Sequence, residues 1–223
     1  MGGDVTTPGI RAALLARLAA EIDAVDPGRS ARVAIDGVDG AGKTVLADEL
    51  AERVTRPAVR ATVDAFLNPA AVRHARGRGS PEGFYRDSVD LVALHDLLLD
   101  PLAPHGSGRH RTRAFDHVAD APVDALEEQA PPGAVLILDG IFTHRPELAP
   151  LWDWSLFLRV PFAVSVPRGA VRGEGWGGDP DPLAPANRRY VEGQRLYLAE
   201  ADPESRATRV VDNSDVDAPV LIR

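Results

Sequence analysis

The chain contains no cysteine, and among its 223 residues Lys43 is the only lysine. Without cysteine it can form neither a disulfide nor a thiolate metal site. No segment is long and apolar enough to predict a membrane span, and the N-terminus lacks the basic and apolar pattern of a signal peptide. The net charge of −8 argues against a broad basic surface for nucleic acid. These absences predict a cytoplasmic protein with neither a membrane nor a nucleic-acid partner.

The lone lysine is informative because arginine supplies positive charge everywhere else in the chain. A compact ammonium on a flexible stem differs from a planar guanidinium in how it reaches a phosphate. Lys43 follows a glycine-rich segment, residues 37–42, and precedes a helical pattern. The position is the one that a phosphate-binding lysine would occupy.

Hydrophobic patterns alternate between short buried strands and amphipathic helices. Strands are predicted at 32–36, 59–63, 135–138, 155–160 and 209–211, and helices at 10–25, 43–54, 91–99, 162–172 and 185–200. This alternation predicts one α/β domain over residues 1–223, in which a parallel sheet is covered by helices on both faces. An N-terminal helix within 1–28, a polar hairpin over 104–122 and a Gly/Pro-rich lid over 173–185 complete the predicted organisation.

Residues 37–44 match the pattern G-x-x-x-x-G-K-[ST] of the phosphate-binding P-loop. Glycines let the backbone curl so that its N–H groups point at phosphate oxygens, and the following helix adds its positive end. The pattern predicts that ATP binds here and that Lys43 contacts its β- and γ-phosphates, with Thr44 on Mg²⁺. The predicted nucleotide-binding residues are Gly37, Asp39, Gly40, Ala41, Gly42, Lys43, Thr44 and Val45.

Two carboxylates follow predicted strands. Asp64 ends the strand at 59–63 and Asp139 ends the strand at 135–138. Because the carboxyl ends of parallel strands share one edge of a sheet, both should converge with the P-loop on one crevice. Asp64 is the candidate general base and Asp139, with Thr44, the candidate magnesium ligand. A helix-capping Asp64 and a turn-forming Asp139 are the alternative interpretations.

Arginine is the cation that remains to stabilise a transferring phosphoryl group. Arg168 and Arg172 are four residues apart on a predicted helix that leads into the lid. They would share one helix face and are candidate catalytic residues on lid closure. A solvated basic face is the competing interpretation.

Several segments together resemble the uridine kinase-like branch of the phosphoribulokinase/uridine kinase family. They are residues 33–44 (VAIDGVDGAGKT), 63–66 (VDAF), 80–88 (SPEGFYRDS), 136–142 (LILDGIF), 194–197 (QRLY) and 211–213 (VDN). The resemblance covers roughly residues 30–215. It implies a P-loop NTPase fold of nucleoside-monophosphate-kinase type, with a five-stranded parallel sheet and a lid. It also implies ATP and Mg²⁺ as cofactors, and an acceptor site that includes Phe66, Tyr85, Asp87, Phe115 and Asp116.

The expected activity is ATP-dependent phosphorylation of the 5′-hydroxyl of a uridine- or cytidine-like nucleoside. Phe84, with Glu82 and Asp87 beside it, stands where relatives carry a ribose-binding Phe-Asp pair. A kinase of another small alcohol, such as a sugar, a pantothenate-like compound or a secondary metabolite, therefore remains an alternative. A P-loop ATPase or regulator without a small-molecule acceptor is a further one. The expected partner is a small-molecule acceptor, and assembly into a homo-oligomer is left open.

Overall fold

The computed structural model describes residues 9–172 and 178–223, with the side chain of Arg172 outside the described part. Its helices are α1 Ile10–Asp23, α2 Lys43–Ala51, α3 Ala70–Arg73, α4 Pro81–Asp87, α5 Leu91–Leu94, α6 Phe162–Arg172, α7 Arg188–Ala201 and α8 Pro203–Arg206. Its strands are β1 Ala31–Gly37, β2 Ala58–Thr62, β3 Arg109–His110, β4 Phe115–Asp116, β5 Ala121–Pro122, β6 Glu128–Gln129, β7 Val135–Asp139, β8 Trp154–Arg159, β9 Arg209–Asp212 and β10 Val220–Leu221.

The central sheet has six strands in the order β10-β9-β8-β1-β7-β2. The five strands from β9 to β2 are parallel, and β10 pairs antiparallel with β9 at the edge. The predicted α/β fold with a five-stranded parallel sheet is confirmed, and β10 is an addition to it. The sequence did not indicate β10 because a two-residue edge strand carries no periodicity.

Each face of the sheet has its own hydrophobic core. On one face α1 and α2 pack on β1, β7 and β8 through residues such as Leu18, Leu46 and Ile35. On the other face Phe66, Leu94 and Leu98 pack on β2 and β7. Burial on both sides explains why β7 is a continuous apolar run, VLIL, before Asp139.

Two small antiparallel pairs lie beside the sheet. A hairpin was predicted over residues 104–122. Strands β4 and β5 do pair within residues 115–122, but β3 pairs with β6, which lies beyond residue 122. Other boundaries also differ from the predicted ones. Helix α2 ends at Ala51, and α5 continues into a π-helical turn at His95–Leu99. Of the predicted lid over 173–185, residues 173–177 lie outside the described part of the chain.

Candidate functional site

The glycine-rich loop links β1 to α2 and is packed against α6. Gly40 and Gly42 have φ angles of 70° and 91°, which glycine adopts without strain. A Cβ atom at Gly40 would lie 2.1 Å from the backbone oxygen of Ser165 in α6. The Lys43 ammonium folds back over the loop and donates to the Val38 carbonyl at 3.0 Å. The curled backbone and the helix that follows it fit a bound polyphosphate.

Helix α7 is also hydrogen-bonded to this loop. The backbone N–H of Asp39 donates to Gln194 Oε1 at 2.6 Å. One turn further along α7, the Tyr197 hydroxyl donates to Asp36 Oδ2 in a short hydrogen bond. Asp36 also accepts from the backbone N–H of Gly37 at 2.7 Å and is 2.7 Å from His144 Nδ1. The loop is thereby fixed by side chains that are distant in sequence.

Asp36 carries its charge in the interior of the protein. Burial alone would raise the pKa of Asp36, but hydrogen bonds and charge from His144, together with Tyr197, lower it overall. Burial and the neighbouring Asp36 carboxylate raise the pKa of Tyr197 well above its usual value. Sequence reasoning missed this network. The signal for it was the presence of polar residues on the buried face of α7.

Thr44 and Asp139 meet at the end of β7. Thr44 Oγ1 donates to Asp139 Oδ2 at 2.7 Å, as expected if both ligate one Mg²⁺. Arg60 on β2 was not predicted to take part, yet its Nη2 lies 2.8 Å from Asp139 Oδ1. In the described residues, no group of three or more His, Asp or Glu side chains could hold a metal ion. A Mg²⁺ here would therefore use one hydroxyl, one carboxylate, water and nucleotide phosphates.

Asp64 stands at the junction of three cavities. The loop cavity is lined by Asp39, Gly40, Gly42, Lys43, Thr44, Val45, Thr62, Asp64, Asp139, Gly140, Ile141 and Gly169. The hairpin cavity is lined by Thr44, Asp48, Arg60, Ala61, Thr62, Asp64, Ala65, Thr112, Arg113, Phe115, Asp116 and His117. The arginine cavity is lined by Asp39, Asp64, Leu67, Arg73, His74, Phe84, Ser88, His117, Ile141, Arg189 and Tyr190. Asp64 thus adjoins both the phosphate loop and two spaces that could hold an acceptor.

The environment of the crevice raises the pKa of two carboxyl groups. Asp64 is accessible from the crevice, but the surrounding protein removes much of its hydration and raises its pKa. The Lys43 charge opposes this shift, and Asp139 reinforces it. Desolvation raises the pKa of Asp39 to about 6, with Lys43 opposing the shift and Asp64 adding to it. Perturbed carboxyl groups in a cleft are typical of functional sites.

Arg168 lines none of the three cavities that Asp64 lines. Its guanidinium donates to the carbonyls of Asn213 at 2.9 Å and Ser214 at 2.6 Å. It lines an outer cavity of about 590 Å³ with Asn213, Val171 and other residues, next to Gly40 and Gly42. The catalytic role of Arg168 stays a prediction. The side chain of Arg172 lies outside the described residues.

The five predicted acceptor-site residues fall into two groups. Phe115 and Asp116 line the hairpin cavity beside Asp64. The structure does not bring the other three there. Phe66 packs in the core beneath β2, Tyr85 packs on Phe142, and Asp87 pairs with Arg76 at 2.8 Å. Their motif positions could not reveal this, because burial is set by contacts distant in sequence.

No helix among the described residues has the length and apolar character needed to cross a membrane. No protein-family model matches the chain. A solved structure described as a possible uridine kinase from Bacillus stearothermophilus is 21% identical with a TM-score of 0.69, covering 88% of this chain and 96% of that one. The "putative fructose transport system kinase" from Silicibacter sp. TM1040 is 26% identical with a TM-score of 0.64, covering 84% and 95%. The chain has the fold of P-loop kinases along nearly the whole length of both structures.

Proposed function

We propose that the chain is an ATP- and Mg²⁺-dependent phosphotransferase that phosphorylates a hydroxyl group of a small molecule. The observation that carries this proposal is the position of Asp64, which lines the loop cavity and both neighbouring cavities. A carboxylate at such a junction can face a nucleotide phosphate on one side and an acceptor hydroxyl on the other. The general likeness to kinase structures supports the same chemistry.

Each residue has a defined part in the proposed reaction. Asp64 accepts the proton of the acceptor hydroxyl, whose oxygen then bonds to the γ-phosphorus as the bond to the β-phosphate oxygen breaks and ADP leaves. Lys43 and the N–H groups of the loop hold the phosphates in line. Thr44 and Asp139 would hold Mg²⁺, which neutralises phosphate charge when bound.

Two acceptor classes are proposed, and each corresponds to one cavity. A uridine- or cytidine-like nucleoside is supported by Phe115, an aromatic ring in the hairpin cavity of about 460 Å³ that could stack on a base. Another small alcohol is supported by the polar lining of the arginine cavity. The name of the 26% identical structure, a kinase of a fructose transport system, agrees with the second class.

Incubation with ATP·Mg²⁺ and uridine, cytidine, ribose or pantothenate tests the proposal. ADP release and product mass are measured for each acceptor. We expect ADP release that depends on an acceptor, with a product heavier by one phosphoryl group. ATP hydrolysis that no acceptor accelerates, with no phosphorylated product, would instead identify a P-loop ATPase or regulator.

A further inference from the structure

The arginine cavity has two chemically different ends. Asp39 and Asp64 also line the loop cavity, and His117 also lines the hairpin cavity, so these three mark the end nearest the phosphate loop. Arg73, His74 and Arg189 line the remainder of the arginine cavity. Its volume is about 210 Å³, which suits a small acceptor rather than a macromolecule. The cavity therefore offers a base for a hydroxyl and a separate cationic region within one space.

Arg189 places a positive charge inside the protein without a paired carboxylate. Its side chain is 7% exposed, and its guanidinium donates to the backbone oxygens of Arg78 at 2.9 Å and Arg73 at 3.0 Å. In the described part of the chain, no carboxylate oxygen forms an ion pair with it, since nearby Asp87 is bound to Arg76. Burial lowers the pKa of Arg189 and the charge of Arg73 adds to the shift, whereas Tyr190 and the Asp87 carboxylate oppose it. An enclosed charge of this kind is costly unless a ligand neutralises it.

Arg73 adds a second positive charge beside Arg189, and His74 adds a polar ring to the same region. Arg73 donates through Nε to the Asn68 carbonyl at 2.7 Å, and its contact with Asp120 is long, at 3.4 Å. His74 Nδ1 is buried and has no hydrogen-bond partner. Burial, followed by the charges of Arg189 and Arg73, lowers the pKa of His74. The region thus combines excess positive charge with a polar atom that lacks a partner.

The position of Arg189 on α7 strengthens the argument. Arg188 and Arg189 are the first residues of this 14-residue helix, and its first turn contains no acidic residue. The positive end of the helix dipole disfavours basic side chains there and favours an anion. An anionic group beside Arg189 would offset both the burial of its charge and its unfavourable position at the positive end of α7.

We infer that the acceptor of the proposed reaction carries an anionic group, a carboxylate or a phosphate, which binds between Arg73, His74 and Arg189. Its hydroxyl then lies at Asp64, at the other end of the arginine cavity. The inference rests on the proposed phosphotransferase function and favours its second acceptor class over a neutral nucleoside. A free hydroxyl and an anion on one small molecule match the two ends of the cavity.

Matched pairs of acceptors test the inference, each pair differing in the anionic group. The pairs are glycerate and glycerol, pantothenate and pantothenol, and ribose 5-phosphate and ribose, so that carboxylate and phosphate are tested separately. Arg189 also fastens the segment around Arg78 to α7, so its removal could disturb folding. The variant tested is therefore Arg73→Gln. Arg195→Gln on the same helix is the control, because Arg195 pairs with Glu192 and lines no part of the cavity.

We expect the wild-type protein to prefer the anionic member of at least one pair in kcat/KM. Arg73→Gln should reduce that preference about 10- to 100-fold, the usual effect of losing a charge-assisted contact. Arg195→Gln should leave the preference unchanged. Equal use of neutral and anionic members by the wild type would overturn the inference and leave the proposed function standing.

Failure to phosphorylate any acceptor would count against the proposed function. The anion site can then still be tested directly, by measuring binding. With ADP·Mg²⁺ saturating the phosphate loop, calorimetry measures binding of glycerate, pantothenate and ribose 5-phosphate. Binding of one of them that weakens about 10-fold or more in Arg73→Gln would support the anion site. Absence of binding, or equal binding by both proteins, would overturn it.

Discussion

Arg60 Nη2 lies 2.8 Å from Asp139 Oδ1, while Thr44 Oγ1 donates to the other oxygen of the same carboxylate at 2.7 Å. Asp139 is 1% exposed, so Arg60 pairs with a carboxylate that water does not reach, while Oδ1 accepts no hydrogen bond from the described residues. Arg60 also binds Asp48 on α2 at 2.8 Å. Arg60 thus links β2, β7 and α2 beside the proposed magnesium site.

Substitution of Arg60 should show that the Arg60–Asp139 ion pair and Mg²⁺ binding are energetically coupled. Arg60→Met removes the partner of a buried carboxylate and should lower the free energy of unfolding by about 3 kcal/mol. Because Mg²⁺ with ADP can then neutralise Asp139, its stabilising effect should be larger in Arg60→Met than in the wild type. Denaturant unfolding with and without Mg²⁺·ADP measures both effects. Identical stabilisation of the two proteins would separate Arg60 from the metal site.

Asp64→Asn should abolish proton acceptance while leaving the shape of the site intact. We expect kcat to fall by about 100- to 10,000-fold, the range associated with a general base, while ATP·Mg²⁺ binds as before. Steady-state kinetics and nucleotide titration give the two quantities. Asp124→Asn, at an exposed carboxylate that contacts Arg111, is the control and should behave as the wild type. Full turnover by Asp64→Asn would remove Asp64 from the role of base.

The parts of the site that the sequence could reveal are those set by local spacing. The P-loop pattern required a strand before it and a helix after it, and both are present as β1 and α2. The carboxylates at strand ends followed from topology, because β1, β7 and β2 are neighbouring parallel strands. Asp64 and Asp139 therefore line the loop cavity together.

The remaining parts depend on contacts between residues far apart in the chain. Arg60 is one residue within a strand pattern, and nothing local shows that its side chain reaches Asp139. The Arg189 guanidinium donates to the backbone oxygen of Arg73, which is more than a hundred residues away in the sequence. Tyr85 was selected as part of a motif, but packing on Phe142 and Tyr197 decided where its ring lies. Such pairings are tertiary and leave no periodic signal in the sequence.

The raised pKa of Asp39 should make stability depend on pH between about 4 and 6. Its folded-state pKa of about 6 exceeds the ordinary value of 3.8, so the folded protein binds more protons than the unfolded chain in this interval. Stability without nucleotide should therefore fall as pH rises through it. In Asp39→Asn this loss, on the order of 1 to 2 kcal/mol after screening by water, should disappear.

Unfolding free energies of the wild type and Asp39→Asn, measured from pH 4 to 7.5, provide the comparison. The stability of the variant relative to the wild type should increase with pH and level off above about 6. The exposed Asp96→Asn serves as the control. Parallel curves for the wild type and Asp39→Asn would show that Asp39 titrates normally.

Two glycine substitutions separate steric packing from backbone strain. Gly40→Ala places a Cβ atom 2.1 Å from the Ser165 oxygen, whereas Gly77→Ala meets no heavy atom within 4 Å. Both residues have positive φ angles, so both variants incur about 1 to 2 kcal/mol of backbone strain. Only Gly40→Ala must also push the phosphate loop away from α6. It should lose more stability than Gly77→Ala and bind ATP more weakly, as measured by unfolding and by nucleotide titration. Equal losses in both would mean that the contact between the loop and α6 relaxes freely.

Tyr197→Phe should weaken the connection between α7 and the end of β1. The change removes the hydrogen bond that the hydroxyl donates to the buried Asp36 and the one that it accepts from the His144 backbone N–H at 3.1 Å, and it leaves the aromatic ring in place. Loss of a hydrogen bond to a buried charged group typically costs about 1.5 to 3 kcal/mol, so unfolding should become easier by that amount. Tyr85→Phe is the matched control, since its hydroxyl contacts Glu200 only at 3.5 Å and should contribute little. Because Asp36 directly precedes Gly37, Tyr197→Phe should also weaken ATP binding, whereas Tyr85→Phe should not. If both variants unfold alike and bind ATP like the wild type, α7 does not hold the phosphate loop in place through Tyr197.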